Sequence, residues 1–492
     1  MRSVTLFFPD FNRAGLGRKP LCASSKLAQQ TRQMDACCLA ELDVLLGHAL
    51  PSWLRVFKSA SGANSRKRMF TVAVTFGTFL LQVLDADGSC RSALPHVHAL
   101  CAAKSKPSLS DSTAAYCKAR RRLPACLLIG ILRHVTEAVM HAAGDFGGAA
   151  SPRLLVMDGT CITLPDSDAN RAVYHYASGQ KLGLGFPQMH LLGLFDLRTG
   201  AWLRVVKSAE RRHDSFLAWK LIGHLRAGDT LIADRAFCSY AFIHECEVRG
   251  VHVVMRLHQA RARTVDMTKG KSLGRGDCLH IWSKPKAKEL KDLHQARYAA
   301  LPDELQMRIV SVRVASRGHR SEAMYFATTL RDTKTHSAEA IALLYLRRWD
   351  VELFFDDIKT SQRMDTLRCK SPAMVARELL MHMIAYNLVR VLLVQAEALR
   401  PAGQEGRLSF KGTLDRLHHW HTALWGNPSR KAVAKCYQQM LEDIANDVVQ
   451  PRPGRYEPRL VKRRRDSYGL LTRPRVEMRH VPAPPKHRPR AA

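Results

Sequence analysis

The stretch RLLVMD, Arg153–Asp158, decides the fold: four apolar residues in succession, closed by an aspartate, read as a strand buried on both faces. Downstream, FPQMHLLGLFDL (Phe186–Leu197) and AWLRVVKS (Ala201–Ser208), split by Arg198-Thr199-Gly200, predict a hairpin. DSFLAWKLIGHLR (Asp214–Arg226) has the spacing of an amphipathic helix. TLIAD (Thr230–Asp234) is a fourth short strand, SYAFIHECEVRG (Ser239–Gly250) a helix stopped by glycine, and VHVVMRL (Val251–Leu257) a fifth strand. Residues 258–335 turn to strand-like stretches: ARARTVDM, CLHIWSK, MRIVSVRVAS and AMYFATTL. One long helix is expected from about Ser337 to Thr360, with others from Ala373 to about Ala398 and from Leu408 to Val449.

Three strands in a meander, then strands alternating with helices, describe an α/β protein with a ribonuclease H-like mixed sheet flanked by helices. Upstream of Arg153 the chain is helical. VAVTFGTFLLQVL and LPACLLIGILRHVTEAVMHA carry apolar residues at three-to-four spacing. Between them Ser110, Asp111 and Ser112 offer an N-cap before TAAYCKARRR, where Lys118, Arg120, Arg121 and Arg122 cluster. That run fits a solvated face or a DNA contact. GDFGGAASP (Gly144–Pro152) is a flexible joint, and the last 42 positions, 451–492, hold 13 Lys/Arg against 3 acids with many prolines, as an extended basic arm would.

The 492 residues carry 76 basic and 43 acidic side chains, a formal +33, so the surface attracts polyanions, nucleic acid foremost. A highly basic factor of another kind, such as a ribosome-associated protein, shares that property. No apolar run reaches the ~18–20 residues of a membrane helix, and Met1–Pro20 lacks the long apolar core of a secretory signal. The 13 cysteines are odd in number with no C-x-x-C pair, which gives neither a zinc ribbon nor a disulfide framework and fits a reducing, cytoplasmic setting.

Asp158 and Asp234 each close an apolar strand, where a side chain leaves the sheet for the crevice in which open sheets bind ligands. In YLRRWDVELFFDDIK, Tyr345, Arg348, Glu352 and Lys359 fall at offsets 0, 3, 7 and 14, one stripe of a helix. Asp356 shares the stripe, so spacing alone does not choose between Glu352 and Asp356; Asp357 points away. A salt-bridged surface helix would show the same pattern. Three carboxylates from separated segments suit a hard divalent cation such as Mg²⁺, with nearby cations holding a phosphodiester against them. Gly183-x-Gly185 lacks the rest of a dinucleotide fingerprint, and His175, His190 and His213 form no ligand spacing; they read as packing or DNA-contact residues. Ser178–Lys181 reads as a loop near substrate.

DGT-x-I-x-LPDS (Asp158–Ser167), IADRAF-x-SY (Ile232–Tyr240) and Y-x-x-R-W-x-x-E-x6-K (Tyr345–Lys359) together resemble the signature of the IS4-family DDE transposases of bacterial insertion sequences. The basic Pro458–Arg475 stretch resembles the tails of bacterial members, so the likeness runs from about 100 to 475. The resemblance implies that Asp158, Asp234 and Glu352 form a catalytic triad binding Mg²⁺ or Mn²⁺, which chooses Glu352 over Asp356. It implies that Tyr345, Arg348 and Lys359 grip phosphates, and that Trp349 stacks on an extruded base; plain core packing is the other reading of Trp349. Arg120, Arg121 and Arg122 are added as DNA contacts.

The β-rich stretch then matches the insertion such relatives carry between the second Asp and the Glu, a gap of 118 positions here (352 − 234). The implied activity is metal-dependent cleavage at transposon ends followed by joining of the 3′-hydroxyl to target DNA. The implied setting is cytoplasmic and nucleoid-associated, with no membrane, and a homodimer on DNA. A catalytically inactive DNA-binding regulator and a metal nuclease without strand transfer are the alternatives. The expected organisation is 1–70 ill-defined, 71–150 helical and DNA-binding, 151–400 catalytic with its insertion at about 258–335, 401–450 helical, and 451–492 a basic tail.

Overall fold

The computed structural model describes residues 70–85, 87–103, 111–144, 152–176, 184–209, 213–286, 295–314, 322–401, 403–404, 406–426, 429–449 and 477. The basic triplet 66–68, the loop 178–181, Gly183, most of the 144–152 joint and the tail apart from residue 477 lie outside them. The chain forms two compact units: the described residues up to His134 with Leu417–Gln439, and those from Val135 to Arg416 with the residues from Met440 onward.

The first unit is helical. Helix α1 (Val72–Leu84) starts where the Thr71 hydroxyl accepts the Val74 N–H at 3.3 Å, and it buries Val74, Phe76, Phe79 and Leu80. Helices α2 (Leu94–Ala103), α3 (Ala114–Arg122) and α4 (Ala125–Ala142) follow. The cap residue of α3 is Thr113, with no side-chain cap bond of its own; the Ser112 hydroxyl accepts the Ala114 N–H at 3.3 Å.

The second unit is built on one nine-stranded sheet. Its strands are β1 (Leu154–Thr163), β2 (Gln188–Asp196), β3 (Trp202–Ser208), β4 (Thr230–Ala233), β5 (His252–Arg256), β6 (Lys271–Gly274), β7 (Asp277–Ser283), β8 (Glu304–Val314) and β9 (Glu322–Thr328). They lie in the order β3-β2-β1-β4-β5-β9-β8-β7-β6. β1, β4 and β5 are parallel, and every other pairing is antiparallel. This is the mixed, helix-flanked sheet of a ribonuclease H-like fold. The β-rich stretch is not a separate layer: β9 pairs with β5, Val254 opposite Thr328, and the sheet simply continues.

Two readings of that stretch change. ARARTVDM contains a helix, α8 (Gln259–Thr264, after α5 Asp168–Arg171, α6 Asp214–Leu221 and α7 Tyr240–Val248), because the His258 ring accepts the Ala260 N–H and starts a turn. The missed strand is β6. After α9 (Gln295–Ala299), the expected helix over 337–360 is broken: α10 (Ala338–Leu346), a tight 3₁₀ turn Arg347–Trp349, α11 (Asp350–Asp356) and a wide π turn Asp357–Ser361. The π turn is closed by the Gln362 N–H on the Asp357 carbonyl at 2.9 Å. α12 (Pro372–Glu397) matches its expectation, while 408–449 splits into α13 (Phe410–Gly426) and α14 (Arg430–Ala445). α4 and α12 are long and apolar enough to pass a membrane-span test of length and composition, contrary to the run-length reading; 78% of α12's apolar window is buried inside the protein, where it is core.

That core positions the site. Phe195 of β2 stacks on Trp202 of β3 with centroids 5.4 Å apart, and Phe354 and Phe355 of α11 pack on Phe195 at 5.6 and 5.3 Å. Tyr386 of α12 closes the cluster, its hydroxyl donating to the Gly200 carbonyl at 2.8 Å. At the other side of the sheet, the fully buried Arg308 of β8 grips Asp277 of β7 through two bonds of 2.9 and 2.6 Å and donates to the carbonyls of Leu330 and His336 at 2.8 and 2.7 Å. Those carbonyls lie on the connection into α10, so the added strands are fastened to the segment that leads to Glu352.

Asp277→Ala leaves the Arg308 charge buried and unmatched and should cost about 3–5 kcal/mol, read as a lower denaturant midpoint. Burial, with Arg368 nearby, pushes the buried His382 of α12 down to about 3. An unfolded chain binds that proton from about pH 6.5 downward, so the stability present above pH 6.5 is lost as pH falls toward 3, by up to about 1.4 kcal/mol per pH unit. His382→Gln should therefore narrow the gap between melting temperatures measured at about pH 7 and about pH 4.5, the window set by that shift.

Candidate active site

β1 and β4 are parallel with Leu154 beside Thr230 and Val156 beside Ile232, an offset of 76 positions that sets residue 158 level with residue 234. β4 ends at Ala233, and Asp234 opens the short turn Arg235–Phe237. β1 does not end at Asp158, as its apolar run suggested. It runs on to Thr163 against β2, with Asp158 opposite Gly193. What ends beside Asp158 is the neighbouring strand, so the two carboxylates meet where β1 has lost one flank.

The Arg348 guanidinium lies between the acids. It donates to Asp158 Oδ2 at 3.3 Å and to Glu352 Oε1 at 3.1 Å, and its side chain is only 15% exposed. Burial works against its charge, but Tyr345, Glu352, Asp158 and Asp234 together raise its pKa. Asp158 is pushed up to about 6 mainly by burial; the Gly159 N–H, at 2.8 Å from Oδ1, and Arg348 oppose the rise, while Asp214 and then Asp234 add to it. Of the two carboxylates left open on the helical stripe, Glu352 is the one that meets Arg348. Asp356 is exposed and accepts from the Thr360 hydroxyl at 2.7 Å. Asp357 is buried and bonded to Arg407.

The other expected contacts sort by exposure. Tyr345 is 7% exposed, packs on Phe326 with centroids 4.8 Å apart, and turns its hydroxyl to Asp234 Oδ1 at 3.4 Å. Burial and that carboxylate hold the phenol well above its ordinary pKa. So placed, the Tyr345 hydroxyl faces an acid of the site. The Lys359 ammonium donates to Thr160 Oγ1 at 3.3 Å, next along β1 on the face that carries Asp158. Trp349 is 60% exposed on the turn between Arg348 and Asp350, so it is not a core residue.

In the helical unit, Arg121 and Arg122 are exposed but Arg120 is not. Arg120 is 8% exposed, donates to Gln82 Oε1 at 3.0 Å, and lies over the Phe79 ring at 4.6 Å. Its reading as a DNA contact gives way to one as a core cation, since it sits on the inward side of α3 with Tyr116, whose hydroxyl shares the same Gln82 oxygen at 2.8 Å.

Sequence spacing missed Asp214 and underrated His190. His190 Nε2 lies 2.7 Å from Asp214 Oδ1. A Cβ on Gly159 would stand only 2.4 Å from Asp214 Oδ1 and 2.6 Å from Oδ2, so the carboxylate rests against the bare Cα beside Asp158. The residues are 24 positions apart on different elements (214 − 190), with no motif to join them.

Among the described residues, no three His, Cys, Asp or Glu side chains converge tightly enough to enclose a metal by themselves. The chemistry of the donors nonetheless fits a hard divalent cation: Asp158, Asp234 and Glu352 offer only oxygen, and all three act on one half-buried cationic group, Arg348.

Residues 149–388 match the family described as the transposase DDE domain, a span that holds each of Asp158, Asp234, Tyr345, Arg348, Glu352 and Lys359. Over 326 residues the chain is 24% identical to the transposase InsG for insertion sequence element IS4 of Escherichia coli (strain K12), covering 63% of this chain and 68% of that protein. With the mixed sheet and the acids gathered at its end, residues 149–388 resemble the DDE transposase domain, and the chain is similar to a transposase of insertion sequence element IS4.

Proposed function

We propose that the chain cuts the ends of an insertion sequence and joins the freed 3′-hydroxyl to target DNA, with Asp158, Asp234 and Glu352 as the catalytic carboxylates. The observation that carries this reading is the meeting of three acids from β1, the end of β4 and α11 around the one guanidinium of Arg348. These acids are the residues that would hold Mg²⁺ or Mn²⁺. When bound, such ions supply charge stabilisation to an in-line displacement at phosphorus.

The remaining residues bind and orient. Arg348 and Lys359 supply the positive charge that keeps a phosphodiester beside three negative side chains. Tyr345, buried with its hydroxyl on Asp234, fixes that carboxylate and so serves DNA contact indirectly. Trp349 presents its indole to solvent next to Arg348, where an extruded base could stack for ~1–3 kcal/mol. The helical region 71–150, through the exposed Arg121 and Arg122, and the basic residues 451–492 extend the DNA contact. Two copies of the chain pair the two ends.

Asp158→Asn, Asp234→Asn and Glu352→Gln should each abolish Mg²⁺-dependent end cleavage in a gel assay while leaving affinity for a terminal-repeat duplex largely intact; wild-type cleavage by any of them would overturn the assignment. Arg121→Ala and Arg122→Ala should each reduce the slope of log affinity against log salt by about one. Arg120→Ala should instead lower the melting temperature, since it removes a buried partner of Gln82 and Phe79.

A further inference from the structure

The pair His190–Asp214 has no part in the reaction as described above, yet it touches the backbone that carries the first catalytic acid. Side chains alternate along β1, so Asp158 and Thr160 face the helix bearing Arg348 and Lys359, while Gly159 and Cys161 face the other way. Asp214, the first residue of α6, lies on that second face with its carboxylate against Gly159. His190 projects from β2 on the same face, as the register partner of Cys161, with its Nε2 lying 2.7 Å from Asp214 Oδ1. β3 runs parallel to β1, so α6 begins at the end of the sheet where Asp158 and Asp234 meet, and it packs on the turn that follows Asp234.

Three consequences follow from this placement. A side chain at 159 would displace the Asp214 carboxylate, because a Cβ there would stand 2.4 Å from its Oδ1. The Gly159 N–H donates to Asp158 Oδ1 at 2.8 Å, so the peptide that Asp214 rests on also orients the acid. The charge of Asp214 reaches Asp158 more strongly than that of Asp234 does.

We propose that Asp214, held by His190 against Gly159, is a positioning residue of the cutting centre: it fixes the peptide that presents Asp158 and adds a fourth negative charge to the pull on a divalent cation. Groups behind the direct ligands of a metal commonly alter its affinity by about 10–100-fold when removed. The inference rests on the cutting function proposed above, and its test separates the two.

The experiment uses the full chain and Mn²⁺ as the probe, with calorimetric titration of the protein without DNA, duplex-binding anisotropy, and end cleavage. Asp214→Asn keeps the shape and removes the charge. It should weaken Mn²⁺ binding by about tenfold or more while the melting temperature and duplex affinity stay near wild type. Gly159→Ala should produce the same loss by displacing the carboxylate, and adding it to Asp214→Asn should cost little more, because both act through one contact. His190→Gln should show a smaller loss in the same direction. If Asp214→Asn binds Mn²⁺ and cleaves as wild type, the proposal is overturned, even should Gly159→Ala misfold. Asp158→Asn is the separating arm: cleavage by that variant sinks the cutting function itself, whereas an inactive Asp158→Asn beside a wild-type Asp214→Asn sinks only the role of Asp214.

Discussion

Repulsion among carboxylates is the constraint around which the rest is arranged. Asp158 on β1 is level with Asp234 just past the end of the parallel β4, Asp214 presses on the backbone from one face, and Glu352 approaches from the other. Charges of one sign this close resist ionisation: burial is what chiefly pushes Asp158 up to about 6, and the charges of Asp214 and Asp234 add to that rise. Arg348 answers that repulsion. A lysine there would offer a point charge to one acid, while the planar fork of arginine reaches Asp158 and Glu352 at once. The cluster is tolerable in a folded chain because that cation is built into the helix that also supplies the third acid.

Holding such a cluster requires stiff supports on every side. The aromatic stack of Phe195, Trp202, Phe354, Phe355 and Tyr386 fixes α11 against β2 and β3. The helix cannot shift Glu352 without disturbing those rings. From the opposite edge, Arg308 joins β7 and β8 to the connection before α10. The long sheet extension therefore bears on the site mechanically, through the start of the segment that carries Tyr345 and Arg348. An ion pair this deeply buried is a costly way to gain stability and a good way to enforce one arrangement.

The parts of this plan that depend on short-range pattern were legible. Apolar runs placed β1 to β5, and helical spacing placed α1, α4, α7 and α12 within a few residues. The motif around Tyr345–Lys359 put the right side chains together even though its helix is broken by a 3₁₀ and a π turn, because the two irregularities change the winding in opposite senses. Arg120 was misread because a run of four cations looks solvated, and only the fold shows that one of them faces Phe79 and Gln82. Asp158 was misplaced at a strand end because the sequence records where apolarity stops, whereas the strand is set by its partner β2. Trp349 could be read as core or surface until its exposure decided.

Asp214 shows the limit most sharply. Nothing in its neighbourhood marks it: the residue follows a histidine at the start of an ordinary amphipathic helix. Its place is set by the turn between β3 and α6, by the side of β2 from which His190 projects, and by the absence of a Cβ at 159. Each is a property of a different element, and they coincide only after the sheet has formed. The glycine is the one trace left in the motif, since D-G-T carries no side chain between its acid and its threonine. A glycine inside a buried strand weakens that strand, so its presence next to a candidate catalytic acid implies that something else occupies the space. Here the occupant is a carboxylate, and a motif letter that looks like mere backbone freedom is instead the imprint of a partner 55 positions away (214 − 159).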